Sequence, residues 1–150
     1  MKSFISLILI LAVSALLLSC NQQENKIEIK EKVKDGLFIH VSQGINDPHR
    51  VLMALSLADK MSEDKDVILY FDIDGIQIVL KDSPDLTFSH FASSQTEIQK
   101  LLDKGITIMA CPGCLKAAGK TPDDLRKGIV VAEKEKFFNF TSGRILSIDY

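Results

Sequence analysis

The chain has 150 residues, of which 46% are hydrophobic and 25% charged, enough for one domain with a buried core. Its formal net charge is −2, and no Lys/Arg cluster is interleaved with aromatics, which argues against nucleic acid as a partner. It carries three cysteines, an odd number for a disulfide framework, so each needs its own reading.

The N-terminus reads as an address. "MKSFISLILILAVSALLLSC" starts with Lys2 and continues in an apolar run from Phe4 to Leu18, too short to span a bilayer comfortably and placed as a secretory signal is. It ends in "LLSC", which resembles the lipobox of bacterial lipoproteins. Ser19 is the small residue before the cut, and Cys20 is the thiol that receives the diacylglyceryl group. The alternatives are an ordinary cleaved signal peptide or an uncleaved anchor. The expected organisation is a lipoprotein signal peptide over 1–19, a lipidated tether over 20–35 and a domain over 36–150. Acyl chains would hold the protein on a bacterial membrane, at a periplasmic or outer-membrane face, with the domain in water. The tether "NQQENKIEIKEKVKD" is polar and charged. With Cys20 claimed by lipid, Cys111 and Cys114 remain as a pair. A bridge between them closes too short a loop to staple the fold much.

Within the domain, "GLFIHVSQG" reads as a buried strand ending near Ser42. A helix follows, with Asp47 as N-cap and Pro48 at its first position, and Val51, Leu52, Leu55, Ala58 and Met61 recur at helical spacing. "DVILYFDIDG" is a second strand. "GIQIVLKD" reads as a short helix, although its alternation fits a strand as well. "DSPDLTFSHFASS" is a loop, after which Ser94 and Glu97 form a capping box for a helix that stops at Gly105. "ITIMAC" is a third strand and "CPGCLKAAGK" opens a helix. "TPDDLRKG" is a capped turn, "IVVAE" a fourth strand, "KEKFFNFTS" a helix and "RILSIDY" a last strand. Strands alternating with helices predict a mostly parallel sheet covered on both faces.

In such sheets ligands gather beyond the carboxyl ends of the strands. Three of these ends carry polar residues: Ser42 and Gln43, with His49 and Arg50 on the next helix; Asp72 and Asp74; and Cys111 with Cys114. Cys111 stands where a strand passes into a helix, and backbone N–H groups there favour a thiolate. Pro112 suits the first helical turn, Gly113 leaves the sulfur open, and Cys114 lies one turn on, positioned to resolve a mixed disulfide or persulfide. His49 and Arg50 would bind an anion or favour the thiolate, or else form a solvated first turn. His40 reads as a hydrogen-bonded residue of the core.

Other chemistries fit less well. A thioredoxin-like enzyme carries its CxxC early and needs a later cis-proline, and only Pro122 follows here. "MACPGC" matches the MxCxxC of copper chaperones, but Met109 sits in an apolar strand and reads as core. Zinc would need two more ligands, and His40, His49 and His90 lack finger-like spacing. "VILYFDIDG" resembles the first motif of haloacid-dehalogenase-type phosphatases, with Asp72 as nucleophile, Asp74 as general acid and magnesium bound. That family needs further strand-end motifs, and the next strand here ends in cysteine. The plainer reading is that both aspartates cap the following helix.

The stretches "FIHVSQGINDPHRVLMALSLADKM", "DVILYFDIDGIQIVLKD", "LLDKGITIMACPGCLKAAGK" and "FFNFTSGRILSIDY" together resemble the DsrE/DsrF-like family of sulfur-transfer proteins. The resemblance implies a three-layer α/β/α domain with a five-stranded, mostly parallel sheet, of a kind assembled into homo- or hetero-oligomers, with a homo-oligomer expected here. It implies that Cys111 accepts sulfur as a persulfide and passes it between donor and acceptor proteins or small thiols. Cys114 is outside the sulfur-carrier motif of that family, and export departs from its cytoplasmic members. The expected function is therefore a membrane-tethered sulfur or thiol relay, without cofactor or metal. The alternative is a noncatalytic module binding a small ligand, copper or zinc at the same rim.

Overall fold

In the computed structural model, residues 33–150 are described. The predicted signal peptide, Cys20 and most of the predicted tether lie outside the described residues.

Among the described residues, eight strands and α-helices follow one another. They are β1 (Gly36–Val41), α1 (Pro48–Met61), β2 (Asp66–Phe71), α2 (Ser94–Asp103), β3 (Thr107–Ala110), α3 (Pro112–Ala117), β4 (Val130–Val131) and β5 (Ile145–Asp149). The strands make one five-stranded sheet in the order β4-β3-β2-β1-β5, and every pairing is parallel. Each parallel neighbour needs a crossover, and the helices supply it.

Alternation along each strand sends successive side chains to opposite faces. One face presents Leu37, Ile39 and Val41 of β1, Val67, Leu69 and Phe71 of β2, and Ile108 and Ala110 of β3. These share a core with Leu52, Leu55 and Ala58 of α1 and Ile98 and Leu101 of α2. Burying each such large side chain contributes about 1.5–3 kcal/mol. The opposite face carries Phe38, Ile68, Tyr70 and Met109, and its cover is thinner. Phe137, at the end of a 3-10 turn (Lys134–Phe137), lies 5.7 Å from the Phe38 ring and 5.1 Å from the Tyr70 ring. The result is the expected α/β/α layering, with a third layer reduced to a turn. Among the described residues no helix is long and apolar enough to cross a membrane.

Local signals account for most elements. The Asp47 carboxylate accepts the Arg50 N–H at 3.2 Å and Pro48 opens α1. Asp124 accepts both the N–H and the hydroxyl of Thr121, capping the turn in "TPDDLRKG". Three expectations change. Ser93, not Ser94, is the N-cap of α2. Ser94 is buried inside the helix, where its hydroxyl accepts the Leu86 N–H at 2.9 Å. Asp85, from the preceding loop, accepts the Gln95 N–H at 2.9 Å and supplies the cap from outside the helix. Glu97 therefore does not close a capping box; its Oε2 is buried without a hydrogen-bond partner. "GIQIVLKD" lies within the short helix expected there, a 3-10 helix over Ile73–Val79. "IVVAE" pairs over only two residues, Val130 and Val131. "KEKFFNFTS" is helical only over the single 3-10 turn above, Lys134–Phe137. Phe137 packs on the sheet while Phe138 is 68% exposed, so no continuous apolar stripe holds a longer helix there.

Candidate functional site

The all-parallel sheet places the ends of β1, β2 and β3 side by side on one edge. Cys111 continues β3, its N–H donating to Phe71 O at 2.9 Å, and then serves as N-cap of α3. Its Sγ accepts the Cys114 N–H at 3.3 Å. Pro112 has no N–H to satisfy at the first helical position, and its fixed φ turns the chain into the helix. A Cβ on Gly113 would sit 3.9 Å from Cys111 Sγ, so glycine leaves that side of the sulfur uncovered. Both cysteines carry free thiols.

The electrostatics divide the labour between the two sulfurs. Burial pushes the Cys111 thiol up, but hydrogen bonds from the Tyr70 hydroxyl, the Cys114 thiol and the N–H groups of Cys114 and Gly113 outweigh it. Its pKa is held below the ordinary thiol value. Cys114 is raised, chiefly because its proton is shared with Cys111, and the Ile73 N–H opposes this only in part. Tyr70 is raised by burial and then by its bond to Cys111, so it remains a donor. Of the two thiols Cys111 is therefore the one that ionises more readily.

The donor on Cys114 comes at a conformational cost. Ile73 has φ 45°, in the left-handed region that a β-branched residue avoids. Strain of this kind costs about 1–3 kcal/mol and concentrates at functional sites. The side chain is 65% exposed, so packing does not compensate for it. The turn is pinned underneath. The Gly75 N–H donates to Ser42 O at 3.2 Å, and a Cβ on Gly75 would lie 2.2 Å from Val41 O.

His40, on β1, lies between two carboxylates. Its Nδ1 is 2.8 Å from Asp149 Oδ1 and its Nε2 is 2.8 Å from Asp72 Oδ1. The first contact is an aligned hydrogen bond. The second is close enough for a charge contact but off the hydrogen-bond line, leaving Nε2 and Oδ1 buried without an aligned partner. Burial disfavours the charged ring, yet the two carboxylates prevail and raise its pKa. The His40 ring is 5.8 Å from that of Tyr70, which ties this group to Cys111.

The remaining sequence-predicted residues are distributed unevenly. Asp72 makes no side-chain cap on the helix that follows it, because its carboxylate faces His40. Asp74 is exposed, accepts from Gln77 Nε2 at 3.5 Å, and lines an open groove with Ile73, Cys114 and Lys120. Ser42 uses its N–H and hydroxyl to hold Tyr150 O at 2.8 and 3.0 Å, and Gln43 lies half-buried beside it. His49 stacks on Phe88 at 4.5 Å, and Arg50 pairs with Asp47 at 3.3 Å. Those two side chains face other partners than the thiols. Met109 is fully buried in β3, as a core residue. Among the described residues no three His, Cys, Asp or Glu side chains are grouped to hold a metal ion.

Tyr70, Ile73 and Asp149 were not singled out by the sequence. Period-two alternation back from Asp72 reaches Tyr70 on the same face, which is the one available signal. Nothing local marks Asp149, which lies 109 positions from His40.

No protein-family model and no curated protein matches the chain. Solved structures do. The chain is similar to the ychN protein from E. coli, with TM-score 0.56 and 14% identity, covering 77% of this chain and 99% of that one. It is also similar to a protein of unknown function from Methanobacterium thermoautotrophicum, with TM-score 0.54, 18% identity and the same two coverages, 77% and 99%. A conserved protein of unknown function from Bacteroides thetaiotaomicron aligns with TM-score 0.48 and 26% identity over 76% of this chain and 95% of that one. At the identities of the first two, the likeness establishes the fold.

Proposed function

We propose that this domain relays sulfur or thiol–disulfide equivalents, with Cys111 as the nucleophile and Cys114 as the resolving thiol. The observation that carries the reading is the set of donors converging on Cys111 Sγ: the Tyr70 hydroxyl, the Cys114 thiol and two backbone N–H groups. Such a sulfur is ionised more readily than an ordinary cysteine and is therefore the attacking group. The resemblance of the strand-then-CPGC sequence to the DsrE/DsrF-like family supports persulfide as the cargo.

With a persulfide donor R–S–SH, the Cys111 thiolate attacks the outer sulfur. The donor S–S bond breaks, R–S⁻ leaves, and Cys111 carries S–SH. Attack by the Cys114 thiolate on the inner sulfur then forms the Cys111–Cys114 disulfide and releases HS⁻. A thiol acceptor that takes the outer sulfur instead regenerates the dithiol. In this reading the domain works as a homo-oligomer at a membrane surface, tethered through lipid on Cys20, and exchanges sulfur with proteins or small thiols in an exported compartment.

Mass spectrometry after exposure to a persulfide donor tests the central claim. A gain of one sulfur atom on Cys111, absent from Cys111→Ser, is the expected result. Failure of Cys111 to gain sulfur while other thiols in the mixture do would sink it.

A further inference from the structure

Three titratable side chains stand in a row along the carboxyl edge of the sheet, and the thiol steps above leave them unused. Asp149 ends β5, His40 lies near the end of β1 and Asp72 follows β2, so the row crosses three neighbouring strands. Strand register builds it: His40 is paired with Asp149 on one side and with Tyr70 on the other. Asp72 lies two residues beyond Tyr70, on the same face by alternation. Exposure grows outward, the side chains of Asp72, His40 and Asp149 being 18%, 27% and 74% exposed. The outer end is wet. The inner end lies near the thiols without bonding to them: Asp72 directly precedes Ile73, whose N–H donates to Cys114, and its charge acts through space on both Cys114 and Tyr70.

Half-buried charge contacts contribute little net stability, since desolvation offsets most of the attraction. Buried polar atoms without an aligned partner, such as His40 Nε2 and Asp72 Oδ1, add to that cost. A row that is expensive to keep, leads from a thiol to water and contains an imidazole is suited to moving protons.

We infer that Asp72, His40 and Asp149 form a proton relay serving Cys114 in the resolving step. The inference rests on the role proposed for Cys114. With Cys111 joined to a group R–S, the Cys114 S–H gives its proton to Asp72 and its sulfur attacks Cys111 Sγ. The Cys111–Cys114 bond forms as the bond to R–S breaks, and R–S⁻ leaves with the electron pair. The two protein thiols are oxidised together, and the incoming disulfide is reduced to two thiols. Neutral His40, with its proton on Nδ1, accepts the Asp72 proton on Nε2 and passes the Nδ1 proton to Asp149, which releases it to water. The titratable groups facing the row are Tyr70 from β2 and Cys111 and Cys114 at the start of α3. Because His40 must be neutral to accept, resolution accelerates as pH rises through its raised pKa.

Stopped-flow reaction with a chromogenic aryl disulfide separates the steps: one aryl thiolate leaves when Cys111 is modified and a second when Cys114 closes the ring. Asp72→Asn should slow the second release roughly tenfold at neutral pH, short of the 10²–10⁴ of fully enclosed general bases because water also reaches this site. The first release should stay within about twofold. Asp149→Asn, at an exposed carboxylate that spares the core, should slow the second release a few-fold and shift its pH midpoint. A purely electrostatic or structural role predicts the opposite sign. Removing the Asp72 charge would then ease Cys114 ionisation and speed the second release. Acceleration, or no change in either variant, overturns the relay. If Cys111 takes no sulfur from a persulfide donor but the second release still depends on Asp72, the cargo assignment falls and the relay stands.

Discussion

Replacing Tyr70 by Phe removes one donor from Cys111 and little else. The ring keeps its contacts with Phe38 at 6.0 Å, Phe137 at 5.1 Å and His40 at 5.8 Å, so the third layer is preserved. A hydrogen bond to a charged group contributes about 1.5–3 kcal/mol, and at this half-exposed site the lower figure applies. That corresponds to roughly a tenfold smaller thiolate fraction at pH below the Cys111 pKa, since about 1.4 kcal/mol is a factor of ten. A less stabilised thiolate is also a better nucleophile. With a Brønsted coefficient of about 0.4–0.5, the intrinsic rate rises roughly threefold. The net expectation is a Cys111 alkylation rate about threefold slower at low pH and about threefold faster well above the thiol pKa, so the two pH–rate profiles cross. Iodoacetamide kinetics with peptide mapping of Cys111 read this directly. Superimposable profiles, or a uniform slowing without a crossing, would refute the assignment of the Tyr70 hydroxyl as a thiolate donor.

Three further outcomes follow from the geometry. Ile73→Gly should raise the urea midpoint, because relief of about 1–3 kcal/mol of left-handed strain exceeds the roughly 1 kcal/mol entropic cost of glycine; a lower midpoint would show that Ile73 is not strained. Gly75→Ala should cost about 1–3 kcal/mol and change the alkylation rate of Cys114, since the new Cβ would lie 2.2 Å from Val41 O and push aside the turn that carries the Ile73 N–H. The Asp35 carboxyl, hydrogen-bonded by Arg144, is lowered from 3.8 to about 2. A folded-state pKa below the unfolded one means that its contribution to stability is present above about pH 4 and disappears as pH falls towards 2. Carboxyl NMR titration should therefore show Asp35 protonating well below the ordinary carboxylate range, and Arg144→Gln should raise its pKa only part of the way back, because the backbone N–H of residue 144 still donates to it at 3.1 Å.

Much of the fold is legible because the signals that produce it are local. The apolar spacing of Val51, Leu52, Leu55 and Ala58 behind an Asp-Pro start is enough for α1, and the strand stretches announce themselves by short apolar runs between turn residues. Where the partner is distant, local reading fails. Ser94 and Glu97 match a capping box, but a loop carboxylate, Asp85, reaches the helix first. "KEKFFNFTS" has helical composition, yet only Phe137 finds the sheet, and one anchored side chain supports a single 3-10 turn rather than a longer helix.

The candidate site divides along the same line. By itself the sequence determined that Cys111 stands where a strand yields to a proline-started helix and that Cys114 follows within one turn, because both are set by neighbours a few residues away. Tertiary structure alone decided which hydroxyl meets Cys111, which N–H meets Cys114 and that His40 is flanked by Asp72 and Asp149. Those partners are assembled by the register of parallel strands, which joins His40 to a residue 109 positions along the chain. Register depends on the fit of a whole sheet to the helices that cover it, and no short stretch of sequence contains that information.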